Sequence, residues 1–236
     1  MQRYFGREKI DNKFILNSDD MYHIKTVMRM NNLDNIEVVY EKEVFLCEII
    51  NDEIIIKEKI ETRKDNIKEI ILCIPLLKEQ KMDLILQKST ELGVSKIVPI
   101  FTERSIIKIE GKEEKKLARW AKICKEAAEQ SMRTTIPVVT EIKRLKDLEL
   151  MDGLKVVCST TGKNKNIKNF LTTHQNYDKI IIVVGPEGGL SESEENILSC
   201  IGFNRISLGS RIMRVETVPM FILSILNYEC MEWFYG

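Results

Sequence analysis

The chain has 236 residues, of which 44% are hydrophobic and 31% are charged, a composition typical of a folded globular protein. The 36 Lys and Arg residues balance 36 Asp and Glu residues, which excludes a globally basic nucleic-acid-binding protein but not a locally basic one. Only two histidines are present, so one chain cannot build a multi-histidine site, and we predict that the protein needs no metal.

The six cysteines lie far apart in the sequence, and none forms a CxxC pair. We therefore predict buried, reduced thiols in a cytoplasmic protein. The first residues include charges where a secretory signal needs an apolar core, and the longest apolar run, 180–184, is too short to cross a bilayer. No membrane segment is expected.

The N-terminal part of the chain has the pattern of a small β-structure. We predict a helix over 23–30, followed by short strands between 36 and 60 that are separated by charged turns. Such strands indicate a small β-barrel. The stretch 61–66 contains no apolar residue and is predicted to be a linker, which gives domains 1–66 and 67–236.

After this linker, apolar strands alternate with amphipathic helices, which predicts an α/β domain with a parallel sheet. We expect strands over 70–76, 96–101, 138–141, 155–159, 180–184 and 205–208, and helices over 82–92, 113–132, 191–200 and 217–233. Ser191 and Glu194 have the spacing of a capping box. Residues 78–146 carry 16 basic and 10 acidic side chains, so a positive surface is expected there.

Three segments are candidates for chemistry. Residues 185–190 form a glycine-rich turn between a strand and a helix, without the spacing of a Walker A or dinucleotide-binding loop. Residues 207–217 hold two arginines and a glutamate after another strand, and guanidinium groups suit phosphate or a developing anion. Residues 126–133 close the long helix. Ordinary alternatives exist, because turns need glycine and Arg214 and Glu216 can simply pair at the surface.

Taken together and in this order, these segments resemble the ribosomal small-subunit RNA uridine-N3 methyltransferases of the SPOUT superfamily. Matching motifs run almost end to end. They comprise residues 3–5, 23–29, 75–78, 87–94, 99–105, 126–133, 185–189 and 208–217.

The resemblance implies an N-terminal PUA-like β-barrel and a C-terminal SPOUT α/β domain with a deep trefoil knot. It also implies that S-adenosylmethionine binds in the knot loops. The implied cofactor-binding residues are Thr160, Thr161, Gly185, Pro186, Glu187, Gly188, Gly189, Ser207, Leu208, Gly209, Ile212, Met213, Arg214 and Thr217.

The implied reaction moves a methyl group to N3 of one uridine of 16S ribosomal RNA within the 30S subunit, and the implied assembly is a homodimer. Arg214 is expected to stabilise the anion formed when N3 loses its proton, with Glu216 orienting it, and Arg133 to contact the RNA backbone or the base. The general base stays open among Glu91, Glu129 and water. The residues expected to contact RNA are Arg3, Arg7, His23, Arg29, Lys78, Lys81, Lys88, Arg104 and Arg133.

Two other functions are compatible with the same residues. A non-enzymatic RNA-binding module for ribosome assembly would use the barrel and the basic third of the chain, but it has no need of two glycine loops. A SPOUT methyltransferase acting on another ribosomal or transfer RNA base would keep the fold and change the target.

Overall fold

The computed structural model describes residues 1–61, 68–105, 107, 111–160 and 165–230. The chain divides into two compact units, one of Met1–Asp65 with Ala128–Thr135 and the other of Asn66–Ala127 with Ile136–Gly236. The predicted linker lies almost entirely outside the described residues.

The first unit is built on a six-stranded mixed sheet in the order β1-β4-β5-β6-β3-β2. Only the β1–β4 pair is parallel; the other neighbours are antiparallel. Alternating apolar side chains along β4 and β5 enclose the core, where Phe14 packs edge-on against Phe45 with ring centroids 5.2 Å apart. The strands are β1 Arg3–Phe5, β2 Glu8–Ile10, β3 Lys13–Ile15, β4 Asn35–Tyr40, β5 Glu43–Ile50 and β6 Glu53–Ile60.

The helix predicted to begin at residue 23 begins five residues earlier. Helix α1 spans Ser18–Tyr22, and the Asn17 side chain caps it by accepting a hydrogen bond of 2.8 Å from the Asp20 backbone N–H. Residues His23–Val27 then form a π-helical turn, closed by the Met28 N–H donating to the His23 carbonyl. The predicted α-helix over 23–30 is therefore wrong in both its start and its type.

Residues 128–135 belong to the first unit although they follow the long helix of the second. Arg3 holds them there. Its guanidinium donates to the backbone carbonyls of Met132 and Arg133 and pairs with Glu37 at 2.6 Å. Because Arg3 is only 6% exposed, this contact is internal to the unit.

The second unit is built on a parallel sheet with the order β10-β8-β7-β13-β11-β14-β12, and β9 pairs with β8 beside this path. Its strands are β7 Glu69–Pro75, β8 Lys96–Phe101, β9 Val138–Val139, β10 Lys143–Arg144, β11 Leu154–Cys158, β12 Lys165–Asn166, β13 Lys179–Val184 and β14 Asn204–Ser207. Its helices are α2 Glu79–Glu91, α3 Glu113–Gln130, α4 Ile167–Thr173, α5 Glu192–Cys200 and α6 Thr217–Cys230, with a 3-10 helix at Leu145–Leu150.

Helices cover both faces of this sheet, which explains why its central strands are apolar without alternation. Side chains of α2, α3, α4 and α6 form one core with one face of the sheet, and α5 and the 3-10 helix form a second core with the other face. The α/β prediction for this part of the chain is confirmed. Helix α2 begins three residues before its predicted start and ends at Glu91, one residue before its predicted end. Gly93, with a positive φ of 82°, terminates it as expected.

The cysteine prediction holds in part. Cys47, Cys73 and Cys124 are buried, reduced thiols, but Cys200 is reduced and exposed at the end of α5. Burial raises the pKa of Cys47 and Cys158 to about 12, so both remain neutral thiols. Across the described residues, no helix has both the length and the apolar character needed to traverse a bilayer.

Candidate functional site

The carboxyl ends of the parallel strands meet at one edge of the second unit's sheet. Cys158 at the end of β11 pairs in register with Val184 of β13 on one side and with Ile206 of β14 on the other. The loops that follow these strands are therefore neighbours, and open α/β sheets bind ligands at this edge. We call the loops 185–191 and 207–216 the cradle loops.

The first cradle loop is a tight turn that favours glycine. The Gly189 N–H donates to the Pro186 carbonyl at 2.8 Å, and Gly189 has a φ of 70°. A Cβ on Gly185 would lie 3.1 Å from the Leu190 backbone nitrogen. The loop thus brings bare backbone to the sheet edge, where a ligand can approach closely.

Helix α5 follows this loop, and its first turn anchors two other loops. The predicted capping box is confirmed: Ser191 accepts from the Glu194 N–H, and Glu194 accepts from the Ser191 N–H. Glu194 is buried and also accepts a hydrogen bond of 2.8 Å from the backbone N–H of Glu103, in the loop after β8.

The next residue, Glu195, anchors the end of β11. It accepts a hydrogen bond of 2.7 Å from the Ser159 hydroxyl and pairs with Arg205 at 3.3 Å. The sequence did not predict the anchoring contacts of Glu103, Ser159 and Glu195. The capping-box spacing located the helix start, but no local signal indicates these long-range partners.

The second cradle loop combines an anchored residue with exposed ones. Val215 is buried, whereas Ile212 is 86% exposed. Gly209 has a φ of 118°, and its N–H donates to the Ser207 hydroxyl at 3.3 Å. The Arg214 carbonyl accepts from the N–H of Thr217, which begins α6. The loop therefore has a fixed end at α6 and an accessible middle.

The Arg214 side chain is exposed and makes no hydrogen bond or ion pair with the described residues. Glu216 lies instead by Lys81, with 3.6 Å between the Lys81 Nζ and the Glu216 Oε2 atoms. The sequence predicts that Glu216 orients Arg214, but no contact between these two side chains is found among the described residues. Arg214 keeps its guanidinium available to a ligand.

Lys81, in the first turn of α2, also contacts the first cradle loop. Its Nζ atom lies 3.0 Å from the Glu187 Oε1 atom. The hydrogen bond to Glu187 is the main reason that the pKa of Lys81 is raised. Burial raises the pKa of Glu187, but its own backbone N–H and Lys81 outweigh burial, so the net pKa is lowered. Both groups are charged at neutral pH.

Arg104 also contacts the first cradle loop. It donates to the Gly188 carbonyl, and a Cβ on Gly188 would lie 3.2 Å from the Arg104 Cδ atom. Arg104 follows β8, so three different strands contribute residues that hold or form the cradle loops. Thr160 is exposed directly after β11, and Thr161 lies outside the described residues.

The other residues predicted to contact RNA fall into two groups according to the solvent exposure of their side chains. Arg7, Arg29 and Lys78 are exposed, and Lys88 pairs with Glu91 at 2.8 Å. Arg3 and Arg133 are each only 6% exposed within the first unit. Their burial points to structural roles, against the predicted RNA contacts and against a direct catalytic role for Arg133.

His23 has an internal partner in the first unit. The Tyr4 hydroxyl lies 3.0 Å from the His23 Nδ1 atom. Burial, followed by the charges of Glu129 and Asp20, raises the pKa of Tyr4 to about 12, so the phenol stays protonated. This contact fixes the His23 ring against β1.

Two further features lie outside the cradle. The described residues contain no cluster of three His, Cys, Asp or Glu side chains arranged to hold a metal ion. A cleft of about 660 Å³ lies at the opposite, amino-terminal edge of the sheet, where it is lined by the starts of β11 and β13 and by residues 172–178. It is separate from the strand ends that carry the cradle loops.

Comparison with known proteins identifies the class to which this fold and site belong. Residues 63–227 match the family model described as an RNA methyltransferase domain. The chain belongs to this RNA methyltransferase family, and the resemblance found in the sequence is confirmed.

Several similar proteins carry the same name, that of a ribosomal RNA methyltransferase. Ribosomal RNA small subunit methyltransferase E of Mesomycoplasma hyopneumoniae is 36% identical, over 95% of this chain and 98% of its own length. The Bacillus subtilis protein of the same name is 34% identical, over 97% of both chains. The structure of this enzyme from Neisseria gonorrhoeae, bound to S-adenosyl methionine, superposes with a TM-score of 0.87 at 29% identity over 97% of both chains.

Proposed function

We propose that the protein transfers a methyl group from S-adenosylmethionine to N3 of a specific uridine of 16S ribosomal RNA, within the 30S subunit. The observation that carries this proposal is the pair of glycine-containing loops at the carboxyl edge of a parallel sheet, in a chain of the RNA methyltransferase family. The relatives are named as small-subunit methyltransferases, which favours the 16S target.

The residues of the cradle suit this cofactor. Glycines at 185, 188, 189 and 209 put no side chain between the backbone and a ligand, so an adenosine or an amino acid moiety can approach the backbone closely. Gly189 and Gly209 also have positive φ. The half-buried Leu208 and Met213 offer apolar contacts beside them. When bound, S-adenosylmethionine supplies the methyl group.

Arg214 carries the chemistry that the chain itself provides. Uracil N3 bears a proton and must lose it to become nucleophilic, and the resulting negative charge spreads onto the two flanking carbonyl oxygens. The exposed guanidinium of Arg214, which pairs with no residue that the structure describes, stabilises that charge in the proposed site. The backbone carbonyl of Arg214 accepts hydrogen bonds from the N–H groups of Thr217 and Val218, which restricts the positions that the side chain can reach.

RNA binding is proposed for the exposed basic residues. Arg7, Arg29 and Lys78 are accessible to phosphate, as is the solvent-facing lysine surface of α3. Arg3 and Arg133 are removed from this set because they are buried.

The finer architecture is part of the proposal. The six-stranded sheet of the first unit supports a PUA-like β-barrel, and the insertion of β11 between β13 and β14 is compatible with a deep trefoil knot. Exposed Phe221 and Tyr228 on α6 are compatible with a homodimer interface. The proposed ribosomal substrate supports a cytoplasmic protein, as the sequence predicts.

A methyl-transfer assay tests the function. Unmodified 30S subunits and labelled S-adenosylmethionine are incubated with wild type or Arg214→Ala, and nucleosides are identified by mass spectrometry. We expect 3-methyluridine with wild type and a loss of about 10²-fold or more in rate with the variant. Methylation of another base would replace the proposed target, and wild-type protein that binds RNA without transferring methyl would favour the non-enzymatic alternative.

A binding measurement checks the placement of the cofactor. Gly209→Ala imposes a side chain at a φ of 118° and should weaken S-adenosylmethionine binding. Gly202→Ala is the matched control, because Gly202 has a φ of 92° but follows α5, away from the cradle. Equal affinity for the two variants would contradict the proposed site.

A further inference from the structure

We propose that Lys81 is a positioning residue that holds the two cradle loops together through Glu187 and Glu216, and thereby sets cofactor affinity rather than contacting RNA. The inference rests on the proposed function, because it assumes that the cradle binds S-adenosylmethionine. It assigns Lys81 a role different from the RNA contact expected from the sequence.

The geometry places one cation between two loops from different strands. Lys81 Nζ lies 3.0 Å from Glu187, in the loop after β13, and 3.6 Å from Glu216, in the loop after β14. Strand β11 separates these two strands in the sheet, so they do not pair with each other. No backbone hydrogen bonds of the sheet connect β13 to β14 directly. Lys81 connects the loops that follow these strands through its side-chain contacts.

The positive charge of Lys81 stabilises the ionised side chain of Glu216. Its Oε2 atom is buried and has no hydrogen-bond partner among the described residues, and the side chain is only 16% exposed. A buried carboxylate oxygen without a hydrogen bond is costly unless a positive charge lies nearby, and Lys81 provides that charge. Because Glu216 immediately precedes α6 and follows Arg214 by two residues, fixing it also fixes the end of the second cradle loop.

The same contacts make Lys81 a poor phosphate ligand. Its ammonium group is shared between two carboxylates, and the three side chains together carry a net negative charge. This negative charge would repel an approaching phosphate. Lys78, exposed just before the same helix, is better suited to RNA.

Calorimetric titration of the full chain with S-adenosylmethionine tests the role. We expect Lys81→Met to raise the Kd at least about fivefold, the lower end of typical coupling between linked groups. Lys81→Arg, which keeps the charge, should recover most of the affinity. The double variant Lys81→Met with Glu187→Gln should bind no more weakly than Lys81→Met alone, because both changes remove the same contact.

Lys116→Met is the matched control. It breaks the ion pair between α3 and Glu79 of α2 without touching either cradle loop, and it should leave the cofactor Kd unchanged. Binding to 30S subunits at several salt concentrations provides the second measurement, and Lys81→Met should keep the wild-type slope.

Three results separate the possibilities. An unchanged cofactor Kd in Lys81→Met, with weaker RNA binding and a shallower salt slope, would overturn the proposal and make Lys81 an RNA contact. If Lys81→Met does not fold, Glu187→Gln alone must still weaken cofactor binding for the proposal to stand. Wild-type protein that binds no S-adenosylmethionine would instead overturn the proposed function on which it rests.

Discussion

At the scale of single residues, burial separates arginines that look alike in the sequence. Arg3 and Arg7 lie four positions apart in a basic N-terminal stretch. Arg3 is buried on Glu37 and two backbone carbonyls, whereas Arg7 is exposed. The first therefore belongs to the fold of the first unit, and the second is available to RNA.

Substituting these two arginines should produce opposite effects. Arg3→Met leaves the Glu37 carboxylate and two carbonyls without their donor, and we expect about 3–5 kcal/mol less stability in urea unfolding followed by circular dichroism. Arg7→Met should change stability by no more than about 0.5 kcal/mol but weaken RNA binding. An Arg3 variant of wild-type stability with impaired RNA binding would restore the original expectation for this residue.

At the scale of elements, the first turn of α5 contains both a helix cap and the residues that anchor two loops of the site. Ser191→Ala removes the cap acceptor, and we expect a loss of about 0.5–2 kcal/mol in the free energy of unfolding. Ser199→Ala is the control from the same helix. Its hydroxyl donates to the Glu195 carbonyl within the helix and caps no helix end, so a smaller loss is expected. Equal losses in urea titrations would show that the cap contributes nothing beyond an ordinary serine hydroxyl.

The same helix indicates how far the sequence could predict this molecule. Its capping box and the strand before it are local signals, and the structure confirms both predictions. The contacts of Glu195 with Ser159, and of Lys81 with Glu216, join residues far apart in the chain. No periodic pattern in the sequence indicates such contacts. The short strands β1 to β3 escape prediction because three residues are too few to show alternation.

At the scale of the whole molecule, charge is segregated in a chain with no net charge. Residues 78–146 carry 16 basic and 10 acidic side chains, and Lys112 and Lys115 are exposed at or just before α3. We expect affinity for 30S subunits to fall steeply with salt. Lys112→Gln with Lys115→Gln should flatten the log–log slope by up to about 0.7–0.9 for each phosphate that the protein no longer neutralises. A slope equal to wild type would place the RNA surface elsewhere.

The pairing of β7 with β13 has a consequence for how this protein is made. About a hundred residues separate the two strands in the chain, and their register spans Glu69 to Cys73 against Lys179 to Val183. At translation rates of about 5–20 residues per second, a nascent β7 waits roughly 5–20 seconds for this neighbour. During that time the edge of β7 that faces β13 in the folded protein is unpaired, and an unpaired apolar strand edge can pair with wrong partners. We therefore expect the nascent chain to be most prone to misfolding before β13 emerges.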